Sequence, residues 1–101
     1  MKVKIHSIHF DADSKLVDFI QQKVDKLEVF YDGFVAGEVF LRLDKSQNNE
    51  NKVAEIRLSI PGKDLFAKRQ CKSFEEATDG AVEALRRQVK RHKEKTRPTF
   101  H

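Results

Sequence analysis

Four segments with two-residue alternation and two with helical spacing, in the order strand, helix, strand, strand, strand, helix, predict an α+β fold, β-α-β-β-β-α. Both helices then cover one face of a four-stranded mixed sheet, and the other face is left to solvent or a partner. The chain has 101 residues, enough for one core and too few for two. Hydrophobic residues at 39% and charged residues at 36% describe a highly charged but foldable domain, neither disordered nor fibrous. One domain over residues 1–95 with a short C-terminal tail over 96–101 is expected.

Residues 2–10 read as the first strand, with Val3 and Ile5 on one face, Lys2 and Lys4 on the other, and Ile8 and Phe10 marking a local change in alternation. Asp13 or Ser14 offers a capping oxygen. Leu16, Ile20, Val24, Leu27 and Tyr31 then recur at helical spacing to the Asp32-Gly33 stop, a first helix over 15–31. Val35, Val39, Leu41 and Leu43 alternate with Glu38, Phe40, Arg42 and Asp44; after the polar run KSQNNEN, Ala54, Ile56, Leu58 and Ile60 alternate with Glu55, Arg57 and Ser59. These two strands form an antiparallel hairpin with a mobile tip. Pro61-Gly62 is a turn signature that leads into a fourth strand over 63–71, carrying Leu65, Phe66 and Ala67. A strand-helix-strand start favours a right-handed crossover, with the first two strands parallel and the others antiparallel.

Ser73 and Glu76 stand in the S-x-x-E capping-box arrangement and open a long second helix. Its apolar face carries Phe74, Ala77, Ala81, Leu85, Val89 and His92. Gly80 in mid-helix costs about 1 kcal/mol relative to alanine and permits close approach to the sheet. Pro98 ends the helix or follows its end.

No stretch approaches the roughly 18 apolar residues of a membrane span, and MKVKIHSIHF lacks the apolar run and cleavage site of a signal peptide, which points to the cytoplasm. The single cysteine, Cys71, makes no intrachain disulfide and fits a reducing compartment; at a strand end it reads as a small buried hydrophobe rather than a nucleophile. There is no Gly-rich phosphate loop, H-E-x-x-H or nucleophile elbow. His6 and His9, three apart on a strand, point to opposite faces and away from shared metal ligation. Glu75 and Glu76 serve the helix N-terminus better than acid-base chemistry. The sequence therefore predicts no catalytic residue, metal, cofactor or small-molecule substrate.

The formal net charge of +4 is unevenly placed: residues 86–97, RRQVKRHKEKTR, hold seven Lys or Arg against one Glu, leaving residues 1–85 at −2. Acid first and base last suits the helix macrodipole, so part of this bias is structural. Arg86, Lys90, Lys93 and Arg97 form one stripe and Arg87, Arg91 and Lys95 another, adjoining the apolar face over roughly 18 Å. A helix built for solubility intersperses Glu with Lys; this one reads as a rail for several phosphates. His92 lies inside the cluster and adds charge below neutral pH. Lys23 and Lys26 on the first helix neighbour Asp25 and Glu28, and read equally as an extension of the rail or as a solvent face. Phe40 and Phe66 fall on the outward parity of the sheet, where bases stack, although a one-residue slip or bulge turns them into the core. No RNP-type aromatic motif is present, which leaves backbone and shape recognition of structured RNA.

The segment AEIRLSIPGKDLFA followed by FEEATDGAVEALRRQVKRHKEK, with KVDKLEVFYD in the first helix, resembles the ribosome hibernation promoting factor family, which includes the ribosome-associated inhibitor proteins. The resemblance runs over most of residues 1–95. Its specific part is Pro61-Gly62, Leu65-Phe66-Ala67, Arg87-Gln88 and His92-Lys93-Glu94-Lys95, in order and at these spacings. It implies a fold similar to double-stranded RNA-binding domains, seated on the small ribosomal subunit at the decoding region. Occupancy there inhibits translation by excluding mRNA and tRNA when growth stops.

Residue by residue, the resemblance assigns RNA binding to Lys23 and Lys26 on the first helix and to Arg87, Gln88, Arg91, Lys93 and Lys95 on the second; Arg86 and Lys90 join them on the charge argument alone. Phe74 stands where the family often has Tyr, which removes a hydroxyl. Implied partners are the small subunit and its rRNA, with other hibernation factors beside them and no membrane. Long-form members carry a further C-terminal dimerisation domain, and this chain looks like the short form. Two rival readings are a general double-stranded RNA-binding module without ribosome specificity, and a protein-protein interaction module that docks an acidic partner.

Overall fold

The structure, a computed structural model, describes residues 1–45 and 48–96. Hairpin-tip residues 46 and 47, and residues 97–101 of the expected tail with Arg97 and Pro98, lie outside the described residues. The elements run β1 (Lys4–Ile8), α1 (Ser14–Phe30), β2 (Ala36–Leu43), β3 (Lys52–Ile60), β4 (Lys63–Cys71) and α2 (Phe74–Thr96). Strand order in the sheet is β1-β2-β3-β4; β1 pairs parallel with β2, and the other pairs are antiparallel. The predicted α+β order and mixed sheet are both present.

Periodicity places the core. Leu16, Ile20, Val24 and Leu27 from α1 and Ala77, Ala81, Leu85 and Val89 from α2 join Val39, Leu41, Ile56, Leu58 and Leu65 in one buried cluster, so both helices lie on one face of the sheet. Asp13 Oδ1 accepts from the Leu16 N–H at 2.8 Å and starts α1. Ser73 Oγ accepts from the Glu76 N–H at 3.1 Å and starts α2. The return arm of the expected capping box does not form; the Glu76 carboxylate lies close enough to Cys71 to raise its thiol pKa.

The first strand is shorter than its apolar pattern. His9 adopts φ 66°, which turns the chain so that Phe10 packs back on the core and stacks on Phe74 at 5.0 Å, while Ile8 stays on the outward face. Val35 and Leu43 share the inward parity of Val39 and Leu41 but are 70% and 53% exposed, because they sit just before and at the end of β2, past the cover of the helices. Gly37, at the other end of β2, sits where a Cβ would approach Val3 Cγ1 to 2.8 Å and Leu58 Cδ2 to 2.9 Å. Glycine there lets β1 and β3 close over the strand. Pro61-Gly62 makes the two-residue turn between paired Ile60 and Lys63, with Gly62 at φ 88°.

Candidate nucleic-acid interface

With Ala81, Leu85 and Val89 fully buried, the 3.6-residue repeat fixes the direction of every cation on α2. Arg86, Arg87, Lys90, Arg91, Lys93 and Lys95 are all exposed. They divide into the two predicted rows, and each row meets a different neighbour. On the α1 side, the Arg86 guanidinium lies 5.1 Å from the Phe30 ring centroid and Lys93 Nζ 4.4 Å from the same ring. Lys93 also donates to the Phe30 carbonyl oxygen at 3.1 Å, at the C-terminal end of α1 where carbonyls carry partial negative charge. On the β4 side, Arg91 and Lys95 share a shallow pocket with Lys63, Leu65, Gln88 and His92. Among the described residues, no carboxylate lies within ion-pair distance of Arg86, Arg87, Lys90, Arg91 or Lys95.

Three of the residues singled out in the sequence have local engagements. Lys23 Nζ is 3.0 Å from Asp79 Oδ1 and 5.2 Å from the Phe19 ring centroid, so it bridges α1 to the start of α2. Lys26 lines the groove between the helices together with Phe30 and Arg86 and has no ion-pair partner among the described residues. Gln88 Nε2 donates to the Phe66 carbonyl oxygen at 2.8 Å. His92 packs edge-on against Tyr31 at 5.9 Å, half-buried beneath the rows.

Sequence reading passed over Phe30, Asp79 and Lys63. Phe30 lies three residues after core residue Leu27 at the very end of α1, and an aromatic there can face a neighbouring helix; no one-dimensional signal says that the neighbour is cationic. Lys63 directly follows the Pro61-Gly62 turn, and only the packing of α2 on β4 brings it to Arg91 and Lys95.

Cys71 is half-buried at the end of β4. Desolvation first, then the carboxylates of Glu76 and Glu50, push its thiol pKa above the ordinary value against a smaller opposing effect of Arg69. A protonated thiol is a poor nucleophile and a poor metal ligand. Among the described residues no group of three or more His, Cys, Asp or Glu is placed to hold a metal ion, and no helix is long and apolar enough to cross a membrane.

The model of the family described as Sigma 54 modulation protein / S30EA ribosomal protein matches residues 3–97. The chain belongs to this family. A ribosome hibernation promoting factor of Pseudomonas putida is 30% identical over 95 residues, covering 94% of this chain and 89% of that protein. The N-terminal domain of Thermus thermophilus Protein Y superposes with a TM-score of 0.77 at 26% identity, over 91% of this chain and 99% of that one. A ribosomal subunit interface protein from Coxiella burnetii gives a TM-score of 0.81 over 92% of this chain and 98% of that one; at 15% identity it shares the fold. Family membership and fold therefore agree with the resemblance read from the sequence.

Proposed function

We propose that the chain is a ribosome hibernation factor that binds the small ribosomal subunit at the decoding region and inhibits translation by keeping mRNA and tRNA out. It acts in the cytoplasm, by occupancy rather than by a chemical step. One observation carries the reading: Arg86, Arg87, Lys90, Arg91 and Lys95 project from one helix with no carboxylate partner among the described residues. Unneutralised cations at helical spacing meet several phosphates at once, and release of the counterions those phosphates held drives binding. Lys26 extends the surface across the groove to α1. Lys93, seated on Phe30, ties α2 to the end of α1 while keeping its charge on the surface, whereas Lys23, paired with Asp79, must give up that ion pair to meet a phosphate. The family match and the hibernation-factor names of the relatives support the ribosome as the target.

If about five phosphates are neutralised, the log-log salt dependence of small-subunit binding has a slope on the order of −4. Joint charge reversal at Arg87, Arg91 and Lys95 abolishes co-sedimentation with small subunits while thermal unfolding stays in place, because exposed sites shift stability by only about ±0.5 kcal/mol. A salt-independent interaction, or full binding by the reversed variant, refutes the rail. Equal affinity for free A-form duplex and for small subunits favours the general double-stranded RNA module instead.

A further inference from the structure

The face of the sheet turned away from both helices carries a second set of residues that the rail does not use. Register places Lys4, Glu38, Arg57 and Phe66 in one row across the four strands, and His6, Phe40, Glu55 and Lys68 in the next. Phe66 is 47% exposed. The His6 and Phe40 rings stack on each other, centroids 4.8 Å apart and planes at 15°. His6 is held there by its hydrogen bond to Glu38 Oε2 at 3.0 Å.

The acids on this face are already engaged. Glu55 pairs with Arg42 and lies 4.0 Å from Lys68, Glu38 holds His6, and Asp64 accepts from the Ser59 hydroxyl at 2.9 Å. Among the described residues Lys4 and Arg57 have no carboxylate partner, and Arg57 stands directly across from Phe66. Two separate aromatic stations, the lone Phe66 ring and the stacked His6–Phe40 pair, each beside cations on an open four-stranded sheet, make a platform for unpaired bases with sites for their phosphates. A protein partner needs a contiguous apolar patch with charge kept out of its centre. Here charged side chains separate the rings, and of the two aliphatic residues in the following row Val53 is fully buried between Arg42 and Gln70, while Ile8, 39% exposed, stands alone on the edge strand beyond Arg42.

We propose that this sheet face is a second RNA-binding site, distinct from α2, that takes unpaired nucleotides by stacking them on Phe66 and on the His6–Phe40 pair, with Arg57 and Lys4 holding the adjoining phosphates. It stands independently of the ribosomal reading, since any single-stranded RNA segment satisfies it.

The test uses the full chain and a labelled octamer of riboadenylate, rA8, read by fluorescence anisotropy and by amide chemical shifts. Addition of rA8 shifts the amides of His6, Phe40 and Phe66. Phe66→Leu keeps an apolar side chain but removes the plane, and weakens binding about fivefold or more; Phe66→Tyr binds as the parent does. The variant reversed at Arg87, Arg91 and Lys95 retains the sheet shifts even where it has lost small subunits, which separates this site from the rail. Shifts confined to α2, or equal rA8 affinity of Phe66→Leu and the parent, overturn the proposal. It is also overturned if rA8 leaves the sheet unmoved while isolated small-subunit proteins shift it, for the face then belongs to a protein.

Discussion

The Gln88 side-chain amide donates to the main-chain carbonyl of Phe66 at 2.8 Å, so α2 seals one point on the outer edge of β4. The opposite edge has a counterpart: Gln21 of α1 donates to the Met1 carbonyl at 2.8 Å and accepts from the Val3 N–H at 3.2 Å, just before β1. An open sheet edge is a template for pairing with another chain; Gln88 occupies one acceptor on the edge of β4, and Gln21 fastens the segment leading into β1 to α1. For Gln88 this is a structural duty beside the RNA contact that the family resemblance implies for it.

Gln88→Leu leaves the Phe66 carbonyl to water and uncovers the β4 edge. The expected loss is about 0.5–1 kcal/mol, the scale of one net hydrogen bond at a solvated site. Urea unfolding reads the loss, and sedimentation velocity at rising concentration detects edge-to-edge association.

Phe30 anchors two cations of the rail through its ring and one of them again through its carbonyl. Phe30→Leu keeps apolar volume between the helices but removes the ring face, worth roughly 0.5–1 kcal/mol per exposed cation. Small-subunit affinity falls by about two- to fivefold as Arg86 and Lys93 lose their seat, with circular dichroism unchanged. An unaltered affinity shows that RNA itself orders these side chains.

Two glycine substitutions have opposite signs. Gly37→Ala drives a methyl against Val3 and Leu58, both buried, and costs about 1–3 kcal/mol through overpacking. At Gly80 the nearest atom to a new Cβ is Arg69 Cγ at 3.1 Å, part of a flexible, exposed side chain that can move aside. Gly80→Ala therefore gains up to about 1 kcal/mol of helix propensity. Thermal or urea denaturation of the two variants gives midpoints on either side of the parent.

Cys71 titrates above the ordinary thiol range, so the folded chain holds its proton more tightly than the unfolded chain does. The stability this contributes is complete below the ordinary thiol pKa and is lost as pH rises through the folded value. Because the thiolate is the reactive form, alkylation by iodoacetamide near pH 8 is slower in the native protein than in guanidinium, and its rate climbs at higher pH than for a free cysteine. Equal rates in the two states contradict the shift.

Much of the fold is legible in one dimension because burial on one face imposes a period. Ile20 and Val24 at helical spacing, and Ile56 and Leu58 at strand spacing, are fully buried as their patterns require. Patterns mislead at element ends: Val35 and Leu43 continue the inward parity yet face water, since parity says which side a residue points to and not whether anything lies above it. His9 shows the converse, a backbone turn visible in the sequence only as a break in alternation.

By itself, the sequence determined the order of elements, the single core and the gathering of cations on α2, because each follows from spacing along one chain. Tertiary structure decided which cations remain available, seating Lys23 of α1 on Asp79 and Lys93 of α2 on Phe30 and leaving Arg87, Lys90 and Arg91 without a carboxylate partner among the described residues. It also settled that Phe40 and Phe66 lie on the open side of the sheet, through a register fixed by pairing to neighbouring strands. A side chain's neighbours come from segments more than 60 residues away in sequence, as with Lys93 and Phe30, which are 63 apart, and only packing brings those together.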